Sequence, residues 1–232
     1  MRAGIVDVTM PRVSDREPRA PRIALDLERP QVAADVFIDQ AVHEGLRLEG
    51  FRFAGVEAEQ VGLKRFVLTE VDLSEAKLDR LDLEDGAING CNMASLTSYS
   101  CTLERVVIEA SRLTGAVLIQ PRLVDVVFRD APIDLSCFRF GRLNRVRFER
   151  CRLVEADFQG VTANACTFID CDLTSAQLSQ GTFAGSAFRG CRLAGLRGLE
   201  ALKGARMAWE DVMELATALA TSLGIDVRDD IS

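Results

Sequence analysis

From Leu48 to Leu193 an apolar side chain returns at every fifth residue. The series has 30 positions, and 27 of them are Leu, Phe, Ile or Met. Ala58, Ser98 and Ala163 are the exceptions, and no insertion or deletion disturbs the register. This period decides the fold class. An α-helix advances about 100° per residue, so five-residue steps would smear the apolar positions around its surface. A flat strand alternates with period two and cannot hold an odd repeat. The chain must instead turn a corner once in every repeat.

A second series lies two residues before each centre. Val71, Ala76, Cys91, Cys101, Val106, Ala116, Cys166 and Cys171 belong to it, and 24 of its 30 members are Val, Cys, Ala, Ser or Gly. Residues two apart in an extended segment point the same way, so each repeat sends one small and one large side chain inward. The charges test this independently. Between Leu46 and Gly195 there are 18 basic and 20 acidic residues, and none falls on an inward position. Phe128, Phe148, Phe168 and Phe188 are spaced by 20, as are Cys151, Cys171 and Cys191. Like residues at that spacing predict that four repeats make one coil and that coils stack in parallel. At about 4.8 Å per coil, the repeats would build a rod roughly 35 Å long.

Val71-Asp72-Leu73-Ser74-Glu75, Ala156-Asp157-Phe158-Gln159-Gly160 and Cys171-Asp172-Leu173-Thr174-Ser175 resemble the Ala-Asp-Leu-X-X motif of the pentapeptide-repeat family. The resemblance implies an all-β solenoid, a right-handed quadrilateral parallel β-helix. The chain then divides into a proline- and arginine-rich N-terminal arm (1–35), the β-helix (36–195) and a C-terminal cap or dimerisation segment (196–232). The register can be extended back to Val36 and Ile38, which places His43 at a centre.

The arm holds four of the six prolines and six arginines, and reads as flexible or loosely docked. Beyond Gly198, residues 199–204 suit one helical turn over the open end. Trp209, Val212, Met213, Ala216, Leu219 and Leu223 then follow helical spacing, with Glu210 and Asp211 at the start and Gly224 as a stop. Such a helix could cover the exposed edge of the last coil. The family resemblance offers another role, joining two rods end to end as a homodimer.

Chemistry is sparse. The chain has one His, one Trp and one Tyr among 232 residues. It shows neither a phosphate loop nor a nucleophile motif, and no Cys-X-X-Cys pair suggests zinc. Six of the seven cysteines sit in the small inward series, as compact filler. Asp82, Glu84 and Asp85 read as a solvated face. No catalytic residue, metal or cofactor is expected. A net charge of −7 argues against direct binding of nucleic acid or an anionic membrane. The absence of a long apolar run or a signal-like N-terminus makes a cytoplasmic location the expectation.

Function is therefore expected on the outer faces, as a non-catalytic scaffold for an unidentified protein partner. One face is poor in charge, and Tyr99, Val117, Ile119, Arg139 and Phe140 are its candidate contact residues. The family resemblance raises an alternative: inhibition or protection of DNA gyrase by an acidic rod that mimics duplex DNA. The repeat region nets only −2. Arg139, Arg142, Arg145, Arg147, Arg150 and Arg152 form a basic belt in which Glu149 is the main acid.

Overall fold

The computed structural model describes residues 17–23, 27, 35–222 and 224–227. Its body is a parallel β-solenoid of about eight turns ending in one helix. Short strands such as Lys77–Asp79 and Val117–Ile119 form one sheet. Eight-residue strands, including Gly62–Thr69, Asp82–Asn89, Thr102–Glu109 and Arg122–Arg129, lie in the other and run through a corner. Successive coils pair in parallel with the expected offset. Leu63 faces Leu83, Leu83 faces Leu103, and Phe128 faces Phe148.

Corners fall two residues after each centre. There the backbone enters the left-handed region, at Glu75 (φ 59°), Arg80 (φ 55°) and Asp85 (φ 53°), for example. Most residues with a Cβ resist this region. The coil-to-coil hydrogen bonds hold them there: Glu75 N–H donates to the Ala94 carbonyl at 2.8 Å.

The phenylalanines stack at the rise of the solenoid. Ring centroids of Phe128–Phe148, Phe148–Phe168 and Phe168–Phe188 are 4.8, 4.9 and 4.7 Å apart, within 7° of parallel. Phe138 and Phe158 form a neighbouring stack at 5.1 Å, edge-on to the first. Each ring is fully enclosed, and burying one contributes about 1.5–3 kcal/mol.

At the N-terminal end the extended register slips. Val36 is buried, but Phe37 rather than Ile38 enters the core, against Phe53 at 4.8 Å, while Ile38 is 48% exposed. A bend precedes the first strand, Val42–Glu44, so alternation does not reach back through it. His43 does take a centre position opposite Leu63, half-buried, with Nε2 3.3 Å from the Asp35 carbonyl oxygen.

At the other end, Leu199–Leu202 form a 3-10 turn whose Leu199, Ala201 and Leu202 are buried. A short strand that the periodicity does not reveal, Arg206–Met207, pairs with Ala187 and Phe188 at an offset of 19. The helix Trp209–Ser222 follows, and Gly224 beyond it adopts φ 77°.

Candidate functional site

On the charge-poor face the five candidates occupy adjacent coils. Tyr99 pairs with Ile119 and Thr97 with Val117. Arg139 lies one coil further, its carbonyl accepting the Gln120 N–H at 2.8 Å, and Phe140 takes the next corner with φ 59°. Tyr99 is 58% and Phe140 51% exposed. Val117 and Ile119 are half-buried. The Phe140 ring lies over Gly160, where an added Cβ would sit 2.6 Å from it, so the small residue holds the ring against the face. Arg139 is exposed and reaches forward to Asp157 of the next coil at 2.6 Å. Leu135, 58% exposed at a corner, is a further apolar group that inward-pattern reading passes over.

The basic belt is neutralised more widely than the sequence suggests. Arg145 makes a two-pronged pair with Asp125 (2.6 and 2.8 Å), and Arg150 with Asp130 (2.7 and 2.8 Å). Arg152 reaches Asp134 at 2.5 Å, and Arg150 also holds Glu149 at 2.6 Å. Most of these counter-ions stand about 20 residues away, in the neighbouring coil, so sequence proximity conceals them.

One face is not the solvated surface expected of it. Asp85 is 8% exposed and Asp125 2%. They share a corner column with Arg105 and Arg145, each Asp held by the Arg one coil further on. Arg105 donates to both Asp85 oxygens, at 2.6 and 3.0 Å, and to Glu84 at 2.6 Å. Residues 17–23 of the arm lie against this column. Arg19 N–H donates to Asp125 Oδ1 at 3.1 Å and Arg22 N–H to Asp85 Oδ1 at 2.9 Å. Glu17 accepts from Arg147 Nη2 at 2.8 Å. Burial alone would raise the Asp85 carboxyl. The Arg105 and Arg22 hydrogen bonds and charges outweigh it and hold the group below the usual carboxylate range. Asp82 beside it is raised, chiefly by burial. Beside this column Val67, Ala87, Val107 and Val127 point outward yet are buried.

The C-terminal helix turns only part of the expected apolar set toward the rod. Leu215 and Asp211 are buried, Val212 and Leu219 are half-buried, and Trp209, Met213 and Ala216 are exposed; Leu223 lies outside the described residues. Asp211 accepts the N–H groups of Gly190 (3.1 Å) and Cys191 (3.0 Å), and Glu214 that of Leu193 (3.0 Å). Acid side chains thus satisfy donors of the last coil that would otherwise face no further strand.

All seven cysteines are free thiols, six buried and Cys137 half-buried. Burial pushes Cys101 up to about 12 and Cys166 and Cys191 up to about 11, which leaves them protonated and unreactive at neutral pH. Among the described residues no group of three or more His, Cys, Asp or Glu is placed to hold a metal, and no helix is long and apolar enough to cross a membrane.

Residues 141–197 match the family described as Pentapeptide repeat region. No curated protein sequence matches the chain. Among solved structures, a trypsin-treated QnrB1, a plasmid-mediated fluoroquinolone resistance protein, is 17% identical, with 81% of this chain and 100% of that one covered and a TM-score of 0.37. HetL from the cyanobacterium Nostoc, a pentapeptide repeat protein involved in heterocyst differentiation regulation, is 15% identical, with 75% and 90% covered and a TM-score of 0.33.

Proposed function

We propose that this chain, whose residues 141–197 match the pentapeptide-repeat family, is a non-catalytic rod that binds a protein partner through the Tyr99–Phe140 face. The observation that carries this reading is the exposure of Tyr99 and Phe140 on a stretch where Val117 and Ile119 extend the apolar surface between them. Aromatic anchors on a rigid sheet lose little conformational entropy on binding. A filled core leaves the interior of the rod no room for a substrate, so recognition falls to the outside.

The gyrase alternative needs acid that stays unneutralised along the rod. Duplex DNA carries about one charge per 1.7 Å. Asp125, Asp130, Asp134, Asp157 and Glu149 each hold an arginine, which favours the apolar face over mimicry of DNA. End-to-end pairing through the C-terminal helix is a second reading, favoured by the exposure of Trp209 (71%) and Met213 (55%) one turn apart.

The test is the double variant Ile119→Glu, Phe140→Glu. It should keep the wild-type melting temperature and lose the partner that the wild-type chain captures from its host's extract. Equal capture by both overturns the reading. Light scattering of the same two proteins and of Trp209→Lys separates a partner from a second copy.

A further inference from the structure

Two equivalent acceptors stand on the corner column, two coils apart. Asp85 is clamped by Arg105 and Asp125 by Arg145, and each still accepts a backbone N–H from the arm. Two coils span about 9.6 Å. The two donors, Arg19 and Arg22, are three residues apart, and three extended residues span about 9–10 Å. The arm's sequence is built to that measure: Pro18-Arg19-Ala20 is followed by Pro21-Arg22-Ile23. Proline fixes its own φ and biases the preceding residue away from helix, so Glu17, Pro18, Ala20 and Pro21 are all held extended. A threefold extended chain presents every third residue to the same side. In keeping with this, Pro18 is buried and Pro21 half-buried, while Arg19, Ala20 and Arg22 are exposed.

The groove is apolar beside its acids. Val67, Ala87, Val107 and Val127 are buried without being part of the rod's interior core. The arm also fills the site imperfectly. Arg147 gives Nη2 to Glu17, but its Nε is buried with no partner, and Arg19 approaches Asp125 only to 4.0 Å with its side chain 67% exposed.

We propose that this column is a docking groove for an extended peptide with a Pro-Arg-X-Pro-Arg repeat, and that residues 17–23 occupy it as an internal ligand which a partner segment of the same chemistry displaces. Specificity comes from the match between a three-residue repeat in the peptide and a two-coil repeat in the rod. Backbone N–H donors and prolines are read at the groove, and the arginines add charge.

The experiment uses the full chain and a fluorescent peptide of residues 15–25. Pro18→Gly with Pro21→Gly weakens the internal ligand. This variant should bind the peptide, and the wild-type chain should bind it at least about tenfold more weakly, because its own segment competes at high effective concentration. A peptide with one glycine inserted between Ala20 and Pro21 breaks the spacing and should lose at least about tenfold in affinity. Adding Asp125→Ala to the released chain should do the same. A folded released chain that ignores the peptide, or binds the inserted peptide equally well, overturns the proposal. A wild-type dimer that the peptide dissociates also overturns it, because the occupant is then a second copy. Amide exchange needs no variant: the Arg19 and Arg22 N–H groups should exchange at least about tenfold more slowly than in the free peptide. Exchange at the free-peptide rate overturns the docking itself.

Discussion

Ser98 donates its hydroxyl proton to the carbonyl of Leu78, one coil away, from inside the column of large apolar side chains. It is fully buried where its column neighbours are Leu78 and Leu118. Ser98→Ala loses this bond and should destabilise the rod by about 1–2 kcal/mol. Ser98→Val loses the same bond but buries two methyl groups in the apolar column, so it should be more stable than Ser98→Ala by about 1 kcal/mol. Urea titration of both variants reads the order, and a Val variant no more stable than the Ala variant would show that the column has no room for the larger side chain.

Leu135 is a bulky residue held at φ 57° and 58% exposed. Its side chain gains little from burial, and its backbone sits where L-residues are strained. Leu135→Asn should therefore stabilise by about 0.5–1 kcal/mol, because Asn tolerates the left-handed region. Leu135→Val should destabilise, because a β-branched side chain tolerates it least. Thermal melts of the pair check this. Stabilisation by Val would show that the corner is not strained.

Acid should weaken the fold in a defined direction. Burial raises Asp85 and Glu149, but arginine partners outweigh it and leave both below the ordinary carboxylate range; Asp130 is lowered chiefly by its hydrogen bond from Arg150. A carboxyl whose folded value is depressed binds protons more readily when unfolded. Its contribution is fully present above the unfolded value, about 4, and is lost as pH falls through the lower folded value. The urea midpoint should be flat from about pH 7 to 5 and fall below about pH 4. A midpoint that holds steady to about pH 3 would exclude these pairs as a source of stability.

The repeats were legible because each residue's environment is set by its place in a short period. Phe148 stacks between Phe128 and Phe168 because the three share a column, and the spacing of 20 states that directly. Asp85 is hidden from the five-residue pattern for the opposite reason. Its partners are Arg105, one coil away, and the N–H of Arg22, 63 residues earlier. Nothing in the five-residue pattern marks a corner acid as covered. The helix meets the rod with a face that its apolar spacing alone does not mark. An apolar stripe through Trp209 and Met213 leaves Asp211 outside, whereas the end of the rod needs acceptors more than it needs a tryptophan. The Tyr99–Phe140 stretch stands out in the sequence because its outward positions are poor in charge, whereas Leu135, a corner residue like Phe140, stands on a face with Arg112, Asp134, Arg152 and Asp172, whose charges conceal it.

Asp211 offers the clearest test of what the helix does. It is 4% exposed and accepts two N–H groups of the last coil, with Glu214 taking a third. Asp211→Ala strips the acceptor from the Gly190 and Cys191 donors and leaves them unsatisfied beneath the helix. Each buried donor left unpaired costs about 1–3 kcal/mol. The variant should lose at least about 2 kcal/mol, and the Gly190, Cys191 and Leu193 amides should exchange much faster while those around Phe128 change little. Trp209→Lys, on the exposed side of the same helix, should leave both stability and exchange unchanged. Equal losses from the two substitutions would mean that the helix holds the rod through its outer stripe, and that its acids are incidental to closing the last coil.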